Sequence, residues 1–178
     1  SVKTNNAFDV LYKSKMGEVI RLFSSGLKDK TSNVVLMLKF LLSASGPYDV
    51  LDENKKNVSF HKRYSQIYQK YKILLERAKK LYGDSNKVLF FKYSGDLSIS
   101  GELANELIYS FPDKVVIVAY VKGTKVNLSL RGKNVRDKFL HAIEGLDGAD
   151  GGGHRDAVGG VILYDLLDDF VKKIKDLL

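Results

Sequence analysis

Three consecutive glycines, Gly151 to Gly153, constrain the fold of this chain more than any other feature of its sequence. Glycine loses more conformational freedom on folding than any other residue, so a run of three is costly inside a helix or a strand. His154 and Arg155 follow directly, and the chain becomes apolar at Val161. We therefore predict a loop over residues 150–160, in which backbone N–H groups, an imidazole and a guanidinium lie beside one ligand. Such groups bind phosphate and other anions.

The sequence from residue 87 onward alternates between short apolar runs and amphipathic segments, which is the pattern of an α/β domain. Apolar runs bounded by glycine, proline or charged residues predict strands at 87–93, 115–121, 125–131 and 158–163. Amphipathic spacing predicts a helix over 101–111 with Ser100 as its N-cap, one after Asn134 and one at the end of the chain. The strand 125–131 alternates polar and apolar residues, so its polar face carries Ser129 and Arg131.

Three short motifs punctuate these elements: Ser-Gly-x-Leu-Ala at 100–104, Ser-x-Arg at 129–131 and Gly-Gly-Gly-His at 151–154. In this order the C-terminal half resembles the DHH-associated domain, the C-terminal part of DHH phosphoesterases such as RecJ exonucleases and nano-RNases. The resemblance implies an α/β fold, with a helical N-terminal block and a long basic helix that lead into a small mixed sheet of four to five strands with flanking helices. It divides the chain into a helical connector, 1–82, and a DHH-associated domain, 83–178.

The resemblance also implies that the glycine segment binds nucleic acid or phosphate. It assigns to this site Gly151, Gly152, Gly153, His154, Arg155, Ser129 and Arg131. The family commonly has a proline after the histidine, whereas this chain has Arg155 followed by Asp156, whose carboxylate would repel a phosphate. A competing hypothesis is a structural loop, in which Arg155 and Arg131 form salt bridges with Asp150 and Asp156.

The segment 55–82 holds nine basic residues and one acidic residue, and its net charge equals the +8 of the whole chain. Its apolar residues alternate at spacings of four and three, which predicts one amphipathic helix over 58–82. These apolar residues are Phe60, Tyr64, Ile67, Tyr71, Leu74, Ala78 and Leu81. A solvated helix face usually mixes charge signs, so we predict a track for nucleic-acid phosphates. Its basic residues are Lys62, Arg63, Lys70, Lys72, Arg77, Lys79 and Lys80.

Two alternatives remain for the basic helix: an ordinary solvated face and a docking surface for a protein. Ahead of it, residues 7–23 and 33–44 are predicted to be helical. The second segment is so apolar that we expect its large side chains to be buried, namely Leu36, Leu38, Phe40, Leu41 and Leu42.

The sequence offers few metal ligands. There is no cysteine, and the three histidines, His61, His141 and His154, stand far apart. The Asp-His-His triplet of DHH enzymes is missing, so we expect no hydrolytic activity and no cofactor for this chain. Manganese or magnesium would be bound only by a DHH half in a longer protein. The apolar run 34–44 is too short to span a bilayer, and no secretory signal is visible, so we expect a cytoplasmic protein without a membrane partner.

Three functional hypotheses remain open. The first is a RecJ-like protein reduced to its nucleic-acid-binding half; archaeal relatives accompany the GINS complex and the MCM helicase at replication forks. The resemblance then implies binding of single-stranded DNA or RNA, a role in replication or repair, and GINS and MCM as partners. The second is the substrate-binding half of a complete DHH phosphoesterase, a single-strand exonuclease or oligoribonuclease. The third is the editing-associated domain of an alanyl-tRNA synthetase, which has a related glycine-rich loop.

Overall fold

The structure is a computed structural model that describes residues 3–4, 6–83 and 86–178. The chain forms two compact units, residues 1–70 and 71–178. The boundary between them lies inside the long basic helix, whereas the sequence placed the domain boundary at residue 82.

All regular secondary structure among the described residues of the first unit is helical, and turns and loops join the helices. It contains α1 (Ala7–Lys13), α2 (Lys15–Gly26), α3 (Thr31–Leu41), a short 3-10 turn (Pro47–Val50) and the start of α4 (Val58–Lys79). The segment 7–23, predicted to be helical, forms two helices that meet at Ser14. Ser14 has an extended backbone, and its hydroxyl accepts a hydrogen bond from the backbone N–H of Gly17 at 3.0 Å. Ser14 therefore ends α1 and caps the start of α2.

The interior of the first unit is a small apolar cluster. Its buried members are Leu22, Met37, Phe40, Val50 and Phe60. The expectation that the leucines of α3 are buried is wrong for Leu36, Leu38 and Leu42, which are exposed, Leu42 to 90%. A surface helix can turn only one stripe toward a core, and in α3 that stripe carries Met37 and Phe40.

Helix α4 begins at the predicted residue and ends at Lys79, three residues before the predicted end. Its predicted apolar stripe is buried or half-buried except for Leu81, which lies beyond the helix and is 55% exposed. Leu75, which the strict spacing omitted, is 4% exposed and belongs to the core of the second unit. Among the described residues no helix, α4 included, has the length and apolar character that crossing a membrane requires.

The second unit is built on a mixed five-stranded sheet, which confirms the predicted fold class. Its strands are β1 (Val88–Ser94), β2 (Val115–Lys122), β3 (Lys125–Arg131), β4 (Asp150–His154) and β5 (Ala157–Leu163). They lie in the order β1-β2-β3-β5-β4. Only β1 and β2 are parallel; the other three pairings are antiparallel.

Helices α6 (Val135–Ile143) and α7 (Leu167–Asp176) pack on one face of this sheet. Phe139 and Phe170 are fully buried there and meet edge to face, with their ring centroids 5.8 Å apart. Helix α7 docks through a stripe at the spacing of one helical face. The stripe consists of Leu167, Phe170, Val171 and Ile174.

Helix α5 (Ser100–Ser110) lies on the opposite face, where it contacts β2 and, at Ser129 and Arg131, the adjacent strand β3. Leu103 and Leu107 are fully buried against Val116 and Val118. Each such leucine contributes about 1.5–3 kcal/mol through its removal from water. The remainder of this face, where β3, β5 and β4 carry polar side chains and glycines, is called the open face below. Its residues are Asn127, Ser129, Arg131, Asp150, Gly152, His154, Ala157, Gly159 and Val161.

The prediction that the glycine segment is a loop is wrong for residues 150–154, whereas the strand predicted at 158–163 is confirmed. The segment forms the hairpin of β4 and β5, which is joined by a two-residue turn at Arg155 and Asp156. Glycine permits this strand because Gly153 has a φ of 149°, and a β-carbon there would lie 2.4 Å from the carbonyl oxygen of Ala157. Side chains do not tolerate such a backbone conformation. The glycines therefore allow β4 to pair closely with β5.

Candidate functional site

The register of the sheet brings the predicted residues together in rows on the open face. Arg131 pairs with Ala157, and Ala157 pairs with His154. Side chains directly opposite each other point to the same face, so Arg131 and His154 lie on one side of the sheet. Arg131 lies two strands from His154, about 10 Å at ordinary strand spacing. The next row on this face is Ser129, Gly159 and Gly152.

Gly152 and Gly159 leave the floor of the open face bare. A β-carbon at Gly152 would meet no other atom within 4 Å, and one at Gly159 would meet only the backbone oxygen of Leu128 at 3.8 Å. In contrast, a β-carbon at Gly160 would lie 2.3 Å from the ring of Phe139. The two floor glycines also lack the positive φ that favours glycine. Since glycine costs about 0.5–1 kcal/mol in a strand, the chain's own packing does not explain why they are glycine.

A pair of buried hydroxyls lies beside this floor. The hydroxyls of Ser129 and Ser100 are 3.0 Å apart, and both residues are only 8% exposed. The prediction that Ser100 caps α5 is wrong: Ser100 is the first residue of the helix, and its side chain makes no cap hydrogen bond. The N-terminus of α5 therefore lies at the open face, where its backbone N–H groups and the helix dipole favour negative charge.

Arg131 donates hydrogen bonds to three neutral oxygens. Its Nε donates to Asn105 Oδ1 at 2.6 Å, and its Nη1 donates to the backbone oxygens of Leu130 at 2.7 Å and Val158 at 3.2 Å. A β-carbon at Gly101 would lie 3.9 Å from Arg131 Nη2. This places the guanidinium next to the N-terminus of α5 and the two serine hydroxyls. The result is a cationic group and hydroxyl donors beside a bare glycine floor.

The carboxylate of Asp156 serves the hairpin turn. It accepts hydrogen bonds from the backbone N–H of Asn134 at 2.9 Å and from Arg155 Nη2 at 2.9 Å. The hydrogen bond from Arg155, followed by that from Asn134, lowers the pKa of Asp156. The hydrogen bond to Asp156 and its negative charge raise the pKa of Arg155. Asp150 accepts a hydrogen bond from the backbone N–H of Gly151 at 2.8 Å. The competing hypothesis of a structural loop included salt bridges to Asp150 and Asp156. The structure contains the salt bridge between Arg155 and Asp156.

Two basic residues of α4 are paired with carboxylates. Arg63 Nε lies 3.3 Å from Asp29 Oδ1, and Lys79 Nζ lies 3.4 Å from Glu76 Oε1. Burial of Asp29 opposes ionisation, but the hydrogen bonds from Asn33 and the backbone of Lys30, together with Arg63, lower its pKa. Arg63 therefore contributes to the first unit itself.

The other basic residues of the predicted track are exposed. They are Lys62, Lys70, Lys72, Arg77 and Lys80. Lys62 and Lys70 lie in the first unit, and Arg77 and Lys80 in the second.

The tyrosines of the basic segment contact other aromatic rings. Tyr68 stacks on Tyr64 with ring centroids 5.4 Å apart, and Tyr82 stacks on Phe111 at 4.4 Å. His61 Nε2 lies 2.7 Å from the backbone oxygen of Val50, an acceptor to which the ring donates. These aromatic side chains pack within their own units.

Sequence reasoning missed Asn105 and Gly159 as members of the site. Asn105 is 26 residues from Arg131 along the chain, and no local pattern marks it as a partner of that arginine. Gly159 carried a usable signal, because a Gly-Gly pair inside a run predicted to be a strand marks a close approach. Among the residues that the structure describes, no group of three or more histidine, aspartate and glutamate side chains could hold a metal ion.

A family model described as the DHHA1 domain matches residues 84–178, more than half of the chain. The chain belongs to the DHHA1 family. Its C-terminal half is a DHH-associated domain, as its motifs predicted. No curated protein sequence matches it.

Two solved structures, of RecJ and of the phosphodiesterase PggH, share its fold. RecJ of Thermus thermophilus in complex with Mn²⁺ superposes with a TM-score of 0.65 at 14% identity over 98% of this chain and 25% of that one. The pGpG-specific phosphodiesterase PggH of Vibrio cholerae superposes with a TM-score of 0.62 at 12% identity, over 97% of this chain and 61% of that one. This DHHA1 chain thus spans a quarter of the RecJ chain and less than two thirds of the phosphodiesterase.

The C-Ala domain of Aquifex aeolicus alanyl-tRNA synthetase matches over 51% of this chain and 89% of that one, with a TM-score of 0.46 and 22% identity. That superposition is too loose to bear on function. The likeness to RecJ extends over the helical first unit as well as the DHHA1 domain.

Proposed function

We propose that this DHHA1 chain is a binding module for single-stranded nucleic acid, with a phosphate group held on the open face of the sheet. The observation that carries the proposal is the bare floor of Gly152 and Gly159 beside Arg131 and the Ser129 hydroxyl. A phosphate needs charged and polar donors on one side and room for close approach, and this arrangement offers both. His154, at the end of the Arg131 row, is the second charged donor once it is protonated.

We also propose that the exposed basic residues of α4 contact phosphates of the nucleic acid. Single strands are bound chiefly through their phosphates, so a row of lysine and arginine side chains raises affinity without reading sequence. We assign this role to Lys62, Lys70, Lys72, Arg77 and Lys80. Arg63 and Lys79, which are half-buried beside carboxylates, and Arg155, which pairs with Asp156 in the hairpin turn, are assigned to structure.

The proposal is tested by fluorescence anisotropy with labelled single-stranded DNA, single-stranded RNA and duplex DNA of equal length. We expect salt-dependent binding of a single strand and weaker binding of the duplex. Equal, weak affinity for all three at low salt would contradict the proposal. The comparison between the DNA and RNA strands decides the sugar preference.

Loss of either charged side chain on the open face should weaken binding. Each charge-assisted hydrogen bond is worth about 1.5–3 kcal/mol, so Arg131→Ala and His154→Ala should each lower affinity about tenfold or more. Arg136→Ala and His141→Ala, which remove exposed side chains from α6, are the matched controls and should bind normally. A lower melting temperature with unchanged affinity would instead support a structural role for Arg131 and His154.

We further propose that the chain acts in archaeal DNA replication or repair in the cytoplasm, with GINS and the MCM helicase as partners. The support for this is the membership of the RecJ-like superfamily. Pull-down with purified GINS and MCM tests it, and a Lys72→Glu, Arg77→Glu variant shows whether α4 carries the contact. Absence of a complex with either partner would contradict the assignment.

The chain alone should not hydrolyse nucleic acid. Incubation with single-stranded DNA or short oligoribonucleotides and either Mn²⁺ or Mg²⁺ is expected to leave the substrate intact, because the DHH metal-binding motif is missing from its sequence. Chromatography of the products checks this. Metal-dependent release of mononucleotides that persists through repurification would contradict the expectation.

The alternative proposal is that the chain is the substrate-binding half of a complete DHH phosphoesterase. The support is that it spans only 25% of a RecJ chain. The length of the native gene separates the two proposals, because only a phosphoesterase encodes a metal-binding half.

A further inference from the structure

Strand β4 lies at the edge of the sheet and has a strand neighbour only on its β5 side. Edge strands normally carry lysine or proline, or are covered, because their unpaired backbone groups attract other strands. Strand β4 carries neither residue, and three of its five residues are glycines. Its end residues, Asp150 and His154, are both exposed.

The register determines which backbone groups of β4 point away from the sheet. The turn contains two residues, so His154 and Ala157 form the hydrogen-bonded pair that closes the hairpin. Because antiparallel pairs alternate, the N–H and C=O groups of Gly153 and Gly151 point outward. Consistent with this, the N–H of Gly151 donates to the Asp150 carboxylate at 2.8 Å, outside the ladder.

We propose that β4 pairs antiparallel with β4 of a second copy of the chain, about a two-fold axis through Gly152. Gly151 then exchanges two hydrogen bonds with the partner's Gly153, and Gly153 does the same with the partner's Gly151. Asp150 faces the partner's His154 at both ends of the ladder. The two five-stranded sheets become one continuous sheet, with both open faces on the same side.

The charge pattern identifies a second copy as the occupant. Strand β4 consists of Asp150, three glycines and His154. Rotation by 180° about an axis through Gly152 therefore places each Asp150 carboxylate opposite the imidazole of the partner's His154. Opposite charges across an antiparallel pair stabilise it, and like charges destabilise it. The three glycines add no side chain that would separate the two backbones. A two-fold interface must be self-complementary, and this strand satisfies that requirement in both hydrogen bonding and charge.

Cysteine trapping tests the axis directly. Residues opposite each other at a non-hydrogen-bonded position have Cα atoms about 4.5 Å apart, which lies within the roughly 4.4–6.8 Å span of a disulfide. The chain has no cysteine of its own, so Gly152→Cys should form a disulfide-linked dimer on mild oxidation. Gly159→Cys is the matched control: it lies directly across from Gly152 on the same face, but on the inner strand β5. Trapping of Gly152→Cys that is no faster than trapping of Gly159→Cys would overturn the proposal.

A charge test distinguishes this pairing from any other association of two copies. Asp150→Lys and His154→Asp should each weaken self-association about tenfold in sedimentation experiments at about pH 5.5, where imidazoles are ordinarily protonated, because two attractions become two repulsions. Mixed together, the two variants should associate with each other, since each new charge then faces an opposite one. Asp147→Lys and His141→Asp change the same charges at exposed positions outside β4 and should sediment like the unaltered chain.

Failure of the mixed variants to associate, or a monomer for the unaltered chain at every concentration tested, would overturn the pairing. All of these measurements are made without nucleic acid. Their outcome is therefore read separately from that of the phosphate site, although His154 belongs to both.

Discussion

A Gly152→Val variant should bind single-stranded nucleic acid about tenfold more weakly, or worse, while its melting temperature stays the same or rises. The backbone at Gly152 suits other residues, and a β-carbon there would meet no atom within 4 Å. Valine favours strands, so we expect the fold to keep its stability. The valine methyl groups would occupy the space in which the phosphate approaches the floor, which removes at least one charge-assisted hydrogen bond of about 1.5–3 kcal/mol.

The neighbouring glycine supplies the control for this experiment. Gly153→Val should lower stability by on the order of 1–3 kcal/mol, because it forces a β-branched residue into an unfavourable φ and against the Ala157 carbonyl. Gly159→Val, in the same row as Gly152, should behave like Gly152→Val. Anisotropy titration and thermal unfolding of the three variants separate the effects. Unchanged affinity in Gly152→Val and Gly159→Val would eliminate the phosphate site on the open face.

Reversal of three charges at the C-terminal end of the basic segment should abolish binding of single-stranded nucleic acid. In the variant Lys72→Glu, Arg77→Glu, Lys80→Glu, exposed cations become anions, so attraction to the phosphates becomes repulsion. All three side chains are exposed, and the apolar stripe of α4 is untouched, so the fold should be retained. For the unaltered chain, engagement of about four phosphates predicts a slope of roughly −3 for log affinity against log salt, at about 0.7 per phosphate.

A second triple reversal removes the effect of net charge from this result. Lys172→Glu, Lys173→Glu, Lys175→Glu changes the total charge by the same amount on α7, which packs on the other face of the sheet. It should lower affinity slightly and leave the salt slope unchanged. If the α4 reversal binds like the α7 reversal, α4 is not a phosphate track and a protein partner becomes the better explanation for its charge.

The parts of the fold that could be predicted are those in which local pattern and burial agree. Six successive buried residues of β2 form an apolar run that only an interior strand accommodates. The stripe of α7 repeats at helical spacing, and all of its members are buried. In α3 the pattern was misleading, since apolar residues surround the helix and the sequence cannot tell which side, such as that of Met37, meets the core.

The glycine segment was predicted to be a loop, whereas residues Asp150–His154 form a strand. Whether a glycine run breaks a strand or permits one depends on what lies beside it. Here the neighbours are the Ala157 carbonyl and the ring of Phe139, which approach Gly153, Gly151 and Gly160 only in the folded sheet. Similarly, the sequence placed Arg131 in the site but could not reveal its hydrogen bond to Asn105. Long-range partners of this kind are set by the topology of the sheet.

The turn of the β4–β5 hairpin is fastened to the start of α6. The backbone N–H of Asn134 donates to the Asp156 carboxylate, that of Arg136 to the Arg155 oxygen, and that of Gly132 to the Asp156 oxygen. Local opening of the hairpin must therefore break the first turn of α6 as well, so the two should fray as one cooperative unit in hydrogen exchange. A ligand on the open face that slows exchange at Gly152 should then also protect amides at the start of α6, on the far side of the sheet.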